Sequence, residues 1–238
     1  MSAVLTEQEI AEAAKNLESQ DAQAVLQWTV EKFQRVGFAS SFGAEDVVMI
    51  DLLSKVRGKV AVFTLNTGRL PEETYDVMER IRQKYRIPIV SYFPDKVAVE
   101  KMEKEKGFYS FRQSIENRKE CCGIRKVEPL GRALAGLDAW ITGLRREQAV
   151  TRGTLTKVER DTSHGNIAKV NPIADWTTQQ VWDYIRKNQV PYNKLHDMNY
   201  PSIGCAPCTR AVQPGEDIRA GRWWWELPEH KECGLHVK

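Results

Sequence analysis

Five cysteines stand at Cys121, Cys122, Cys205, Cys208 and Cys233, and none precedes residue 121. Four of them form two tight pairs, Cys121-Cys122 and Cys205-Ala206-Pro207-Cys208. A Cys-x-x-Cys knuckle lets two sulfurs reach one metal centre, and a second pair completes an all-cysteine set. Successive side chains diverge, so an adjacent pair is hard to aim at one small ion. A cluster of several irons offers separate corners and suits such a pair better than zinc does. Buried structural thiols, or a dithiol redox pair, are the alternative. An odd count also leaves one thiol over in any disulfide framework.

The fifth thiol, Cys233, lies in Glu232-Cys233-Gly234-Leu235-His236. Chain tails are usually mobile. A thiol on such a tail, beside glycine and close to His230 and His236, could be a nucleophile that swings into a site. A surface cysteine of no consequence fits equally well.

A third element is Ser40-Ser41-Phe42-Gly43-Ala44-Glu45-Asp46, read as a strand-to-helix turn. Small hydroxyl and glycine residues there expose backbone N–H groups at a helix N-terminus, which is an anion site. It is not a Walker A loop, since no Lys-Ser/Thr follows Gly43. An ordinary turn reads the same way.

Charge is the fourth signal. Residues 121–160 hold eight basic residues (Arg125, Lys126, Arg132, Arg145, Arg146, Arg152, Lys157, Arg160) against four acidic ones. That local excess is larger than the net charge of +3 of the whole chain. Arg219 and Arg222 add to it after the second cysteine pair. Arginine forks suit phosphate and sulfate oxygens, although a solvated helix face accounts for any one of these residues. Trp223-Trp224-Trp225 reads most simply as packing or a lid.

The elements that must position these groups follow from periodicity. Thr6 with Glu9 reads as a capping box, and Ile10, Ala13, Ala14 and Leu17 fall at helical spacing. Asp21 caps a second helix that buries Val25 and Leu26. Strands are expected at 36–40, 59–65, 87–92 and 139–142, with helices over 47–53, from Pro71 to about 85, and from Thr177 to Asn188. Strand, loop and helix in repetition argue for a parallel sheet with helices on both faces. Ligands then bind at the carboxyl ends of the strands, in the loops starting at Ser40, Asn66 and Gly143. Residues 190–215, with Pro191, Pro201, Pro207 and Pro214, read as an ordered loop.

At 238 residues, 42% hydrophobic and 28% charged, the chain can build a real core. The expectation is one domain over 1–238, with a helical segment at 1–35 and a mobile tail over about 215–238. A balanced charge argues against a general nucleic-acid binder. The first residues show no signal-peptide pattern and no apolar run approaches a membrane span. A soluble, reduced, cytoplasmic protein is therefore expected, where clustered cysteines mean metal or redox chemistry more often than cross-links.

Taken together, these residues resemble the assimilatory adenylyl-sulfate reductases of the iron–sulfur type, the phosphosulfate-reductase branch of the adenine-nucleotide α-hydrolase-like proteins. The resemblance runs from about Gly37 to the C-terminus. It is carried by the loop from Ser40 to Asp46 and by Leu65-Asn66-Thr67-Gly68-Arg69-Leu70-Pro71-Glu72-Glu73-Thr74-Tyr75. It continues in Cys121-Cys122-Gly123-Ile124-Arg125-Lys126 and Gly143-Leu144-Arg145-Arg146-Glu147-Gln148. Gly204-Cys205-Ala206-Pro207-Cys208-Thr209-Arg210 and Glu232-Cys233-Gly234-Leu235-His236 complete it. Asn66 departs from it, standing where an acidic residue is more usual.

The resemblance implies a modified pyrophosphate-loop fold and one 4Fe-4S cluster on Cys121, Cys122, Cys205 and Cys208. It also implies a reaction in which the Cys233 thiolate attacks the sulfur of adenosine 5′-phosphosulfate and displaces AMP. Thioredoxin then releases sulfite from the S-sulfonated cysteine. Cys233, His236 and Lys126 are the catalytic residues so implied. Substrate contacts fall to Ser40, Ser41, Phe42, Gly43, Ala44, Glu45, Leu65, Thr67, Gly68, Arg69, Gly143, Arg145, Arg152, Arg219 and Arg222. A thiolate approaching an anhydride this anionic needs nearby cations, and Lys126, Arg152, Arg219 and Arg222 are candidates. Expected partners are the nucleotide and thioredoxin, with a homo-oligomer allowed and neither nucleic acid nor membrane involved. The runner-up is the same chemistry on 3′-phosphoadenylyl sulfate, whose reductases typically lack the two cysteine pairs. An ATP-dependent adenylating enzyme would want a fuller Gly-Gly-x-Asp-Ser loop. A non-catalytic metal or RNA-binding module lacks support in charge or aromatic–basic motifs.

Overall fold

A computed structural model describes residues 5–149 and 152–227; Cys233 and His236 lie outside them. The regular elements are α1 (Glu7–Leu17), α2 (Ala22–Lys32), β1 (Val36–Ala39), α3 (Ala44–Leu53), β2 (Val60–Leu65), α4 (Glu72–Tyr85) and β3 (Ile89–Tyr92). They continue with α5 (Lys96–Lys106), α6 (Ile115–Cys122), α7 (Glu128–Leu134), β4 (Ala139–Ile141), β5 (Val158–Asp161), β6 (Ile167–Val170) and α8 (Thr178–Lys187). The chain divides into two compact units. One is Met1–Thr64, Val77–Val90 and Leu134–Tyr192; the other is Leu65–Asp76, Ser91–Ala133 and Asn193–Lys238.

The first unit is built on a six-stranded sheet in the order β3-β2-β1-β4-β6-β5. β1 pairs in parallel with β2 on one side and with β4 on the other, and β4 pairs in parallel with β6. The α/β expectation holds, with one correction: β5 and β6 form an antiparallel hairpin at the edge. Periodicity did not reveal that hairpin, because both strands carry charge in their interiors. Glu159 and Lys169 face each other across it and pair at 3.0 Å.

Local chemistry explains where the helices of this unit start. Thr6 accepts from the Glu9 N–H while Glu9 accepts from the Thr6 N–H, the reciprocal cap expected for α1. Asp21 caps α2 through the Ala24 N–H, and Thr177 with Gln180 closes a second capping box at α8. Helix α3 is buried around nearly its whole circumference, with Asp46 and Asp51 buried beside its apolar residues. Val47, Val48, Met49 and Ile50 are at most 1% exposed, and each contributes roughly 1.5–3 kcal/mol through burial.

The second unit has a much smaller apolar cluster, Met102, Phe111 and Cys121 with Ile124, Cys208 and Trp225 packed against it. Its helices α5 and α6 are capped by Asp95 and Ser114. Between α6 and α7 the chain makes a π-helical turn over Gly123–Val127, closed by the Glu128 N–H donating to the Gly123 carbonyl. Such turns insert a residue into the helical ladder and recur at functional sites. Here the inserted turn carries Arg125 and Lys126.

Candidate functional site

In the first unit the chain reverses its progress across the sheet at β1, whose neighbours are β2 and β4. Crevices at the carboxyl ends of strands at such a switch point are where open α/β sheets bind ligands. The loops that follow β1 and β4 meet there. The Ser40 hydroxyl accepts from the Phe42 N–H at 3.1 Å, and Phe42 takes the left-handed conformation, φ 58°, with its ring fully buried. The backbone N–H and the hydroxyl of Ser41 both donate to Asp46 Oδ2, at 2.5 and 2.7 Å. Gly43 is the N-cap of α3 and Ala44 its first residue; no side chain caps that end. Its first-turn N–H groups are therefore the kind of donors that hold anions.

The loop after β4 supplies Gly143 and Arg145. A Cβ on Gly143 would lie 2.4 Å from Asp46 Oδ1, so only glycine allows this approach. The Arg145 side chain is 3% exposed and donates through Nε and Nη2 to Glu45 Oε1, at 3.0 and 2.7 Å. It also donates to Glu147, to the Trp176 carbonyl and to the Thr178 hydroxyl. Glu45, in the first turn of α3, thus has its charge offset by Arg145. Arg152, on the same stretch, donates to Gln148 Oε1 at 2.5 Å.

The second unit gathers the four cysteines. Cys121 and Cys122 end α6, and Cys205 and Cys208 flank a single tight turn, Ala206–Cys208. All four line one cavity. Arg69, Arg118, Arg125 and Lys126 line it too, together with Phe111 and Trp223. The Ala206 N–H donates to the Arg69 carbonyl at 2.8 Å and the Trp223 N–H to the Cys208 carbonyl at 3.2 Å. Two distant segments are tied to the knuckle in this way. Thr67 Oγ1 lies 3.2 Å from Cys205 Sγ.

Burial pushes the Cys208 thiol up to about 12 and raises Cys121 as well. Burial acts on Cys205 in the same sense. There Lys126, the Thr67 hydroxyl, Arg222 and Arg69 outweigh it and bring the thiol below its usual value. Among the described residues no three His, Cys, Asp or Glu side chains converge on a point suited to a single metal ion. The donor set nevertheless suits a thiolate-held group: four sulfurs share one cavity, and four cations line it. Two buried N–H donors of lining residues, Trp223 Nε1 and Arg125 Nε, also have no protein partner among the described residues. Sulfur atoms of such a group are acceptors they could use.

The residues expected at the substrate are thus distributed between the two units. Ser40 to Glu45, Gly143, Arg145 and Arg152 belong to the first; Leu65, Thr67, Gly68, Arg69, Arg219 and Arg222 belong to the second. Thr67 and Arg69 stand at the cysteine cavity, where Arg69 bonds Glu103 at 2.9 Å and stacks over Phe111. Gly68 takes a positive φ of 71°, and its N–H donates to Asn66 Oδ1. That same oxygen accepts from the Tyr75 hydroxyl at 2.9 Å, so the buried Asn66 amide organises its own turn. Arg222 is buried, stacks on Trp223 at 4.7 Å and donates to the Ile203 carbonyl; the Arg219 backbone N–H donates to Asp217 Oδ1 at 2.8 Å.

Sequence reasoning missed Arg118, Glu103 and Glu226. Arg118 and Glu226 form a pair 1% and 5% exposed, and Glu103 binds both Arg69 and Arg125. No local pattern marks any of these three. The tryptophan triplet divides: Trp223 is buried between Arg118 and Arg222, and Trp225 packs on Phe111. Trp224 is partly exposed.

Residues 35–211 match the phosphoadenosine phosphosulfate reductase domain. An adenosine 5′-phosphosulfate reductase of Burkholderia cepacia is 50% identical over 95% of this chain and 89% of its own length. One from Allochromatium vinosum is 48% identical over 92% and 86%. Among solved structures, the phosphoadenylyl-sulfate reductase of Candida auris in a phosphate complex superposes with a TM-score of 0.76 at 31% identity. That match covers 89% of this chain and all of the other. By the matched domain and by these relatives, the chain belongs to the phosphoadenosine phosphosulfate reductase family.

Proposed function

We propose that this protein reduces adenosine 5′-phosphosulfate to sulfite and AMP in sulfate assimilation, with thioredoxin as reductant. The observation that carries this reading is the single cavity shared by Cys121, Cys122, Cys205 and Cys208 and lined by four cations. The names of the curated relatives support the unphosphorylated nucleotide as substrate.

In this mechanism the Cys233 thiolate attacks the sulfuryl sulfur. A bond forms between the two sulfurs, the anhydride S–O bond breaks, and AMP leaves with the electron pair. A thioredoxin thiolate then attacks Cys233 Sγ; sulfite departs with the electrons of the S–S bond, and a mixed disulfide remains. The second thioredoxin thiol resolves it, so thioredoxin supplies both electrons. His236 stands three residues from the nucleophile in sequence and is assigned to assist it. The α3 N-terminus and the 40–45 loop hold the nucleotide phosphoryl group, and Arg145 keeps Glu45 from repelling it. Lys126, with Arg152, Arg219 and Arg222, offsets the charge that builds as one anion approaches another.

Cys121, Cys122, Cys205 and Cys208 are assigned to hold a 4Fe-4S cluster. Such a cluster supplies a fixed local charge that tunes the surrounding cations. Reduced thiols and a thiolate nucleophile fit a cytoplasmic protein, and among the described residues no helix is long and apolar enough to cross a membrane.

The test is to incubate the purified protein with adenosine 5′-[³⁵S]phosphosulfate and no reductant, then map the label. Label on the Cys233 peptide, released as sulfite by thioredoxin, is the expected result. Full labelling of a Cys233→Ser variant would overturn the mechanism. Competition between the two nucleotides decides between substrates.

A further inference from the structure

Asp46 is a buried carboxyl that the proposed reaction leaves without a role. It sits in the first turn of α3, beneath the 40–46 loop, and is 8% exposed. Its Oδ2 accepts both the N–H and the hydroxyl of Ser41, at 2.5 and 2.7 Å. Among the described residues these are the hydrogen bonds the carboxylate receives. Its Oδ1 faces Gly143, which approaches so closely that a Cβ there would lie 2.4 Å away.

The charged groups around it are few. Glu45 comes from its own helix. From the loop after β4 comes Arg145, engaged by Glu45 at 2.7 Å and by Glu147 at 3.0 Å. Burial pushes the Asp46 carboxyl up to about 7, the Glu45 charge adds to the rise, and the two Ser41 hydrogen bonds oppose it. Ser41 belongs to the loop assigned above to the nucleotide phosphoryl group, yet its two donors are spent on an internal carboxylate. A phosphoryl anion that takes those donors cannot do so beside an ionised Asp46 without strong repulsion in so dry a place.

We propose that Asp46 is a proton-coupled latch on the nucleotide loop. In the free protein its carboxylate holds the Ser41 N–H and hydroxyl. When a nucleotide 5′-phosphoryl group binds, Ser41 turns to the ligand and Asp46 takes up one proton from solvent. The inference rests on the placing of the nucleotide in that loop. Ser41 is a direct ligand group in this scheme, and Asp46 is a positioning residue that acts through it. Nucleotide affinity therefore falls as the pH rises through neutrality, because each binding event must then draw its proton from a more dilute supply.

Calorimetry with adenosine 5′-phosphosulfate tests this. The free phosphate of AMP has a second ionisation near about 6, which would blur the result, whereas the phosphosulfate anhydride keeps a constant charge over the range. A Cys233→Ser background prevents sulfonation. Between about pH 6 and about pH 8.5 the dissociation constant should rise roughly thirtyfold, with uptake of up to about one proton per ligand, read from buffers of different ionisation enthalpy. Asp46→Asn keeps an acceptor for the Ser41 N–H but cannot take up the proton. Its dissociation constant should change by less than about twofold over the same range. Ser41→Ala removes one hydrogen bond that holds the carboxyl down, so the midpoint of the pH dependence should move upward, a readout that does not need Asp46→Asn to fold. Binding with the same pH dependence in parent and Asp46→Asn, or without proton uptake, overturns the latch alone. No binding by the parent at any pH overturns the nucleotide site, and the latch with it.

Discussion

Arg118 and Glu226 meet almost wholly out of water, with Nε to Oε1 at 2.8 Å and Nη2 to Oε2 at 2.9 Å. The two residues are 108 positions apart, and the Arg118 guanidinium also lies over the ring of Trp223. Arg118 belongs to the helix that ends in Cys121 and Cys122. The pair therefore ties the end of the described chain to one wall of the cysteine cavity.

Breaking that pair from one side should be costly, because the surviving charge stays buried. Glu226→Gln should lower stability by about 3–5 kcal/mol. Urea unfolding followed by tryptophan fluorescence checks it, since Trp223 sits on Arg118. Replacing both partners, Arg118→Met with Glu226→Leu, should recover most of the loss. A single variant within about 0.5 kcal/mol of the parent would show that the pair holds nothing together.

Lys126 is the leading opposing charge that brings Cys205 below its usual value, and it lines the cysteine cavity. If it also faces the anionic substrate, Lys126→Ala should lower kcat/KM by roughly a hundredfold, about 2.7 kcal/mol. Bound iron should be unchanged, because no cluster ligand is lost. Steady-state kinetics beside an iron assay checks both halves. Parental kinetics in the variant would remove Lys126 from the catalytic assignment.

Gly143 offers a test confined to the first unit. A methyl group at this position would press on Asp46 Oδ1 at 2.4 Å and on Glu45 Cβ at 3.2 Å, so the loop or the carboxyl must shift to admit it. Gly143→Ala should weaken binding of AMP at least roughly tenfold, about 1.4 kcal/mol. The reactivity of the four cavity thiols toward a thiol reagent should stay as in the parent. Equal loss at both places would mean that the substitution unfolds the chain rather than distorting the loop.

What could be read from the residues alone was chemistry encoded over short spans. The Cys121-Cys122 and Cys205–Cys208 spacings name a shared centre because ligand spacing is local. The run from Ser40 to Asp46 names an anion loop because its small residues are contiguous. The caps at Thr6, Asp21 and Thr177 are equally local, and all three form as expected. Arg118, Glu103 and Glu226 stayed hidden because their roles come from partners brought in over long separations. In sequence Glu103 is one more charge on a lysine- and glutamate-rich helix. The β5–β6 hairpin escaped because Glu159 and Lys169 satisfy each other across strands, which breaks the apolar pattern that marks a buried strand. Asp46 was legible only as the end of the 40–46 run; its burial and the close approach of Gly143 come from the loop after β4, about a hundred residues away.

Asp51, at the far end of α3, shows the opposite behaviour to Asp46. Burial opposes its ionisation, but Lys55 at 2.6 Å, the Tyr184 hydroxyl at 2.6 Å and the Tyr85 hydroxyl at 2.7 Å all donate to it. Together they hold the carboxyl below its usual value. Tyr184 is pushed up to about 12 and Tyr85 is raised as well, so both stay protonated donors at neutral pH. A folded-state pKa below the unfolded value of about 3.9 means that the stabilisation is fully present above that value. It is lost as the pH falls through the folded pKa. The Lys55 side chain is 46% exposed, so water screens part of its share. Asp51→Asn should therefore cost about 2 kcal/mol at neutral pH, and the gap from the parent should shrink in acid, as the pH falls below the unfolded value and the parent carboxyl takes up its proton. Urea midpoints at the two pH values decide it: a gap that stays constant would show that Asp51 acts through shape and not through charge.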